Sequence, residues 1–391
     1  MPETQVKAYL DNSATTRPCA QAVQAVVDAM ETHYFNPSAL YAPAVEMERA
    51  LAEARHVIAA SVQADADQVL FTSGGTESDN MAIYGALRGL RQPGEVLFSA
   101  AEHPAVRNAC VDAATLYGHT AREIPITARG GVDLAALETM LNPAVRLLCV
   151  MQVSNETGAV QPIAEIAALR DRLAPEAALH VDGVQGYLRV PFSLRTSGVQ
   201  SYAISGHKVH GPKGVGALVL RKGYRLQPLL VGGGQQNNLR SGTENTPGIL
   251  GLAAAVKAYP ATTQAQPQLA ALRHRAIELL AQEIPPFHVL GPEADAPDAA
   301  PHILYAALPP VRAETLVHAL EAQGVLVGTG SACSSHKRKG SDTLAAMRVP
   351  PALRESAIRL SFSIQNTAEE VEFALEQIIR QYRLLAPFTR R

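Results

Sequence analysis

Ser201-Tyr202-Ala203-Ile204-Ser205-Gly206-His207-Lys208-Val209-His210-Gly211 starts as a short apolar run of strand character and turns polar at Ser205-Gly206. A single lysine, Lys208, follows in a glycine-rich turn beside His207. Upstream, the apolar run Ala178-Leu179-His180-Val181 ends in an acid, Asp182. Similar runs occur at Val69-Leu70-Phe71, Glu95-Val96-Leu97-Phe98, Arg146-Leu147-Leu148-Cys149-Val150 and Gly216-Ala217-Leu218-Val219-Leu220. From about residue 20 to 260 they alternate with alanine-rich helical patterns, and each ends in a Gly, Asn, His or Asp turn. That alternation predicts a mostly parallel α/β sheet, in which ligands gather where strands end and helices begin. Pro104 and Pro162 fall where first helical turns should begin, which their fixed φ suits.

Beyond this repeat, Lys257 through His274 reads as a polar helical connector, followed by Pro285-Pro286 and the stretch Pro292 to Pro301. The expected division is a large domain over residues 15–260 and a smaller α+β domain formed by residues 1–14 and 261–391. At 391 residues the chain is long enough for two cores. Its 34 Lys+Arg against 36 Asp+Glu give a formal net charge of −2, so the chain as a whole attracts neither nucleic acid nor a membrane surface. No apolar run reaches the length of a bilayer span, and Met1-Pro2-Glu3-Thr4 has none of the regions of a secretion signal. Cys19, Cys110, Cys149 and Cys333 are scattered without paired spacing, which predicts neither a disulfide framework nor a metal site and fits a reducing cytoplasm.

A lysine able to form an imine and an acid able to hold a pyridinium are the two groups a pyridoxal-phosphate enzyme needs, which makes the chain a candidate amino-acid-transforming enzyme. Each residue also has a plainer reading. Asp182 either faces a pyridine nitrogen or caps the following helix, and Lys213 competes with Lys208 as the reactive amine. Gln185 lies one turn beyond Asp182. Thr72-Ser73-Gly74-Gly75-Thr76-Glu77, between a strand and the helical pattern Ser78 to Leu87, is either a phosphate cradle around Gly75 and Thr76 or an ordinary capped helix start. Ser205 and His207 would add phosphate donors. His103, between a strand and a helix, either stacks on an aromatic cofactor and moves protons or is a surface loop histidine. Asn155 either donates to a phenolic oxygen or serves its turn. Arg359 interrupts the apolar run Ser356–Phe362 and either clamps a substrate carboxylate or pairs with an acid. Gly232–Gln236 and Leu239–Glu244 form a second glycine-rich loop, which either completes a site or merely connects. Cys333 sits among small and polar residues near the basic run His336-Lys337-Arg338-Lys339, a setting that suits a reactive thiol. Cys149 and Cys110 read as buried and inert.

The chain resembles the cysteine desulfurases of the NifS/IscS type, class V of the fold-type I pyridoxal-phosphate enzymes. The resemblance is carried by Tyr9–Thr16, Phe35–Ser38, Phe71–Ser78, Glu102-His103-Pro104, Asn155–Gly158, His180–Gln185, Ser205–Lys208, Arg240–Thr243, Gly330–Cys333 and Ile358-Arg359, all in the family's order. It implies an α/β fold with a mainly parallel seven-stranded sheet in the large domain and a mobile cysteine loop at about residues 328–343. It further implies conversion of L-cysteine to L-alanine, with the sulfur left as a persulfide on Cys333. Lys208 would be the cofactor-binding lysine, Asp182 the partner of the pyridine nitrogen and His103 the stacking residue. Asn155 and Gln185 would contact the ring's phenolic oxygen, while Gly75, Thr76, Ser205 and His207 would surround the phosphate. Thr243 would reach in from the second subunit of a homodimer, and Arg359 would hold the substrate carboxylate. The implied acceptor is an iron–sulfur scaffold or a tRNA-thiolating enzyme; the basic loop favours the latter. Three departures stand out: Ser154 where two asparagines usually adjoin, Gln235–Asn238 in place of a more charged segment, and the basic run after Cys333.

Overall fold

The structure is a computed structural model and describes residues 5–329 and 341–388. In chain order the strands are β1 (Ala8–Leu10), β2 (Val69–Thr72), β3 (Glu95–Ser99), β4 (Thr120–Ile124), β5 (Val145–Met151), β6 (Ala178–Asp182), β7 (Ser201–Ser205), β8 (Gly216–Leu220), β9 (His288–Val289), β10 (Ile303–Ala307), β11 (Val325–Val327) and β12 (Ala357–Ser361). The helices are α1 (Ala20–Glu31), α2 (Ala42–Ser61), α3 (Gly75–Leu87), α4 (Pro104–Tyr117), α5 (Leu134–Met140), α6 (Ile163–Leu173), α7 (Thr246–Ala258), α8 (Thr262–Glu283), α9 (Ala313–Glu321), α10 (Asp342–Ala346), α11 (Pro351–Glu355) and α12 (Ala368–Leu385).

Seven strands form the main sheet in the order β2-β8-β7-β6-β5-β3-β4, and only β8 runs against its neighbours. Because side chains alternate along a strand, the inner strands are apolar on both faces, whereas the edge strand β4 is largely exposed. Leu97, Leu148, Val150 and Val219 pack with α2, α6 and α7 on one side. Val96, Phe98, Leu147 and Cys149 pack with α3 and α4 on the other. Each such side chain, removed from water, contributes roughly 1.5–3 kcal/mol, which is why the strands read as continuous apolar runs. A separate core joins β1, β10, β11 and β12 to α8, α9 and α12, through Leu10, Leu304, Leu316, Val325, Leu360 and Leu375. β1 pairs in parallel with β11, so the N-terminal arm adds a strand beside residues far along the chain.

Three local expectations change. The helix after the Thr72–Glu77 turn starts at Gly75 rather than Ser78, so Gly75 and Thr76 belong to its first turn. Pro162 caps α6 from outside, whereas Pro104 does occupy the first position of α4. The connector over 257–274 is broken: α7 ends at Ala258, Pro260 denies its N–H to a continuing helix, and α8 begins at Thr262. Among the described residues no helix is long and apolar enough to cross a membrane.

Candidate active site

β2 and β7 both run against β8, so the carboxyl ends of β2, β3, β5, β6 and β7 lie on one edge of the sheet. A cavity of about 320 Å³ opens there. Gly75, Thr76, His103, Asn155, Asp182, Gln185, Ser205, His207, Lys208 and Arg359 all line it. Thr243 does not; it is exposed on the glycine-rich loop before α7. Cys333 and the basic run His336–Lys339 lie outside the described residues. The segment expected as the cysteine loop is tied at both described ends. Gly328 bridges Arg359, and Ser341 caps α10 by accepting the Leu344 N–H at 3.0 Å.

Lys208 closes a short 3-10 turn immediately after β7. Its Nζ donates to the Ser13 carbonyl at 2.6 Å and the Ala14 carbonyl at 2.7 Å. Thr16 reciprocates, its N–H donating to the His207 carbonyl at 2.8 Å, so the N-terminal arm and the lysine turn fix each other. Buried Arg189 donates to the Lys208 carbonyl through Nη2 and to the Gln185 carbonyl through Nη1 at 3.3 Å. Nothing in the sequence singled out Arg189, because a guanidinium that serves backbone carbonyls leaves no motif.

Asp182 ends β6, and no helix follows it; its Oδ1 instead accepts the Val184 N–H at 2.9 Å, closing a turn. The helix-cap reading therefore fails. Burial, and then the Asp79 carboxyl nearby, push Asp182 up to about 7. His103 caps α4 through Nδ1, which accepts the Ala105 N–H at 3.2 Å, and burial lowers its basicity. Burial and the Lys208 ammonium bring His207 down to about 4, and its Nδ1 lies 3.1 Å from Thr15 Oγ1.

The glycine turn before α3 is shaped for a ligand rather than a side chain. Gly74 has φ of +148°, and a Cβ on Gly75 would lie 2.7 Å from Val184 Cγ2. The first N–H groups of α3 stand beside Ser205 and His207, a donor set for a dianion. Arg240 locks the turn from outside, Nε donating to Glu77 Oε1 at 2.7 Å. At the other wall, Arg359 donates through Nη1 to the Asn155 carbonyl at 2.7 Å and through Nη2 to Asp11 Oδ1 at 2.8 Å. Its Nε is buried without a partner. Asp11 was part of a quoted motif but given no role. It answers the ion-pair alternative for Arg359 without closing the carboxylate alternative, since a donor remains over.

Lys213 does not line the cavity. The Gln235–Asn238 departure is structural: Gln236 Oε1 accepts the Phe71 N–H at 2.9 Å and the Arg55 Nη1 at 3.1 Å, holding the outer edge of β2. Gln236, Asn237 and Asn238 have φ of 49°, 58° and 62°, left-handed values that asparagine tolerates better than most side chains.

Comparison with known proteins agrees with this geometry. The family "Aminotransferase class-V" matches residues 8–373. The chain belongs to the class-V aminotransferase family. Within the family it lies with the cysteine desulfurases of the NifS/IscS type. A cysteine desulfurase of Cereibacter sphaeroides is 39% identical over 98% of this chain and 98% of its own length. A solved NifS-like protein superposes with a TM-score of 0.89 at 30% identity, covering 97% of this chain and 100% of its own. A structure titled SspA in complex with cysteine has a TM-score of 0.80 at 27% identity, covering 92% of this chain and 100% of its own. The class-V fold thus places a lysine, an acid and an arginine around one cavity at the strand ends.

Proposed function

We propose that this class-V enzyme is a cysteine desulfurase that uses pyridoxal phosphate. In the balanced reaction L-cysteine and the Cys333 thiol give L-alanine and a Cys333 persulfide. The observation that carries the reading is the convergence of Lys208, Asp182 and Arg359 on one cavity whose glycine turn suits a phosphate. The residues fit the cofactor. A buried acid, a glycine turn at the α3 N-terminus and an imine-forming amine match its pyridine nitrogen, phosphate and aldehyde. Asp182 would hold the nitrogen, His103 would stack on the ring, and Asn155 and Gln185 would reach its phenolic oxygen. Thr76, Ser205 and His207, with the Gly75 backbone, would hold the phosphate, and Thr243 of a second copy would complete it. When bound, the cofactor supplies an electron sink for charge developing at the substrate Cα.

The chain's own residues do the rest. Arg359 orients the substrate carboxylate, using the Nε left over from its bonds to Asp11 and Asn155. Lys208 would take the Cα proton on Nζ. The Cys333 thiolate attacks the substrate sulfur: the new S–S bond forms as the sulfur leaves Cβ, and Cβ gains a proton. The two separate cores support the division into residues 15–260 and residues 1–14 with 261–391. The persulfide would pass to an acceptor protein, and the basic run after Cys333 points to a tRNA-thiolating enzyme rather than an iron–sulfur scaffold.

The test is incubation of cofactor-loaded protein with L-cysteine, measuring alanine and the mass of the peptide containing residue 333. Alanine with a gain of one sulfur on Cys333 is expected, and Cys333→Ser should retain the cofactor but form no persulfide. Full turnover in Cys333→Ser would refute the thiol's role, and absence of alanine from the wild-type protein would refute the reaction.

A further inference from the structure

Three carboxyl groups line the same cavity although each is nearly withdrawn from water: Asp79, Glu102 and Asp182 are 1%, 4% and 6% exposed. They do not have equal partners. Asp182 Oδ1 accepts the Val184 N–H at 2.9 Å. Asp79 Oδ1 lies 3.2 Å from His180 Nε2, and His180 Nδ1 lies 2.9 Å from Ser201 Oγ. Glu102 Oε1 accepts the Met151 N–H at 2.6 Å, at the end of β5, but Glu102 Oε2 is buried without a hydrogen-bond partner. An ionised carboxylate with one oxygen dry and bare, beside two further acids, is the costliest arrangement of the three.

We propose that Glu102 is a positioning residue that acts as a neutral carboxylic acid: it holds the end of β5 while leaving Asp182 as the anion of the cluster. The inference rests on the cofactor reading above and deepens it. Two negative charges beside the ring would hold the pyridine nitrogen protonated at any pH of interest. One charge, on Asp182, is enough to hold it. The groups facing Glu102 agree with this. Asp182 on β6 and Asp79 on α3 both disfavour its charge, burial keeps the Cys149 thiol on β5 neutral, and among the described residues Arg107 on α4 favours the charge. Arg107 is itself engaged, donating to the Ala100 carbonyl at 3.0 Å and to Asp342 at 3.3 Å. Burial and its acidic neighbours therefore keep the Glu102 carboxyl well above the usual carboxylate range.

Glu102→Gln replaces a neutral group by a neutral group and keeps the acceptor for Met151. Two readouts test it. In cofactor-loaded protein, the pH midpoint of the visible absorption change should stay where it is in wild type. In cofactor-free protein at neutral pH, the infrared carbonyl band of protonated carboxyls should lose the Glu102 share of its intensity with the substitution, what remains belonging to Asp79 and Asp182. Were Glu102 an anion, its removal would withdraw a negative charge from the ring, lower the midpoint by about one to two pH units and leave that band intact. That pair of results overturns the proposal. If Glu102→Gln does not fold, Glu102→Met, also neutral, carries the same reading of the midpoint. A wild-type protein that takes up no pyridoxal phosphate refutes the cofactor reading instead, and the infrared band of the cofactor-free protein still decides the state of Glu102.

Discussion

Lys208 Nζ rests on two backbone carbonyls of the N-terminal arm, so its replacement leaves those carbonyls to water. Lys208→Ala should fold, bind the cofactor without covalent attachment and lose turnover by on the order of 10²–10⁴-fold or more, as read by alanine formation. Arg359→Gln should act differently. Losing a charge-assisted bond to a carboxylate costs about 1.5–3 kcal/mol, so KM for L-cysteine should rise roughly 10- to 100-fold with a smaller change in kcat. An unchanged KM would leave Arg359 as a partner of Asp11 alone. Asp182 gives a pH prediction. Its folded-state value, about 7, exceeds the ordinary 3.8, so its contribution to stability is full below pH 4 and lost as pH rises to 7. In cofactor-free protein, Asp182→Asn should therefore raise the melting temperature at pH 8 and change it little at pH 4. The gain is on the order of 1–4 kcal/mol, while cofactor affinity falls. A lower melting temperature at pH 8 would contradict the burial argument. Lys208, Asp182, His103 and Arg359 were legible because they end or interrupt apolar runs. Glu102, Asp79 and Arg189 were not, since burial of a charged side chain is a property of the fold and leaves no mark in the local sequence.

At the scale of elements, the turn from β2 into α3 decides whether a phosphate can enter. A Cβ at Gly75 would sit 2.7 Å from Val184 Cγ2, a side chain that can be shortened. Gly75→Ala should destabilise the protein by about 1–3 kcal/mol, and adding Val184→Ala should recover most of that in thermal unfolding. No recovery would place the strain elsewhere in the turn. The strands were readable because both faces of the sheet are covered, which forces Val, Leu and Ile at consecutive positions. Helix boundaries were less so. α3 starts on Gly75 and is capped by Gly74, residues that no helix propensity favours; Gly74 has a φ of +148°, which glycine alone adopts readily, and a Cβ on Gly75 would meet Val184. Gln235–Asn238 stands where the family has a more charged segment, and Gln236 secures an edge strand, a long-range bond that spacing cannot announce.

Across the whole molecule, the site draws on residues 13–14, on five strand ends and on Arg359, so it exists only when both cores have assembled. Thr243 lies on the surface away from the cavity of its own chain. Val23, Val27 and Met30 form an exposed apolar stripe along α1, and Tyr34, Leu40 and Val231 are exposed as well. A second copy burying these surfaces is the arrangement in which Thr243 can serve a phosphate. Sedimentation should accordingly show a dimer at micromolar concentration, and Met30→Glu should weaken it; a monomer with full activity would remove Thr243 from the site. The order of the elements made this architecture readable from the sequence, whereas the exposed apolar surfaces carried no comparable pattern.

The claim beneath all of these is that Lys208 anchors the cofactor through its ε-amine. Borohydride reduction of pyridoxal-phosphate-loaded protein, followed by peptide mass analysis, measures it directly. The expected result is a stable cofactor adduct on Lys208 and on no other lysine, Lys213 included. Unmodified Lys208 in a protein that has bound the cofactor, or an adduct confined to Lys213, would contradict it.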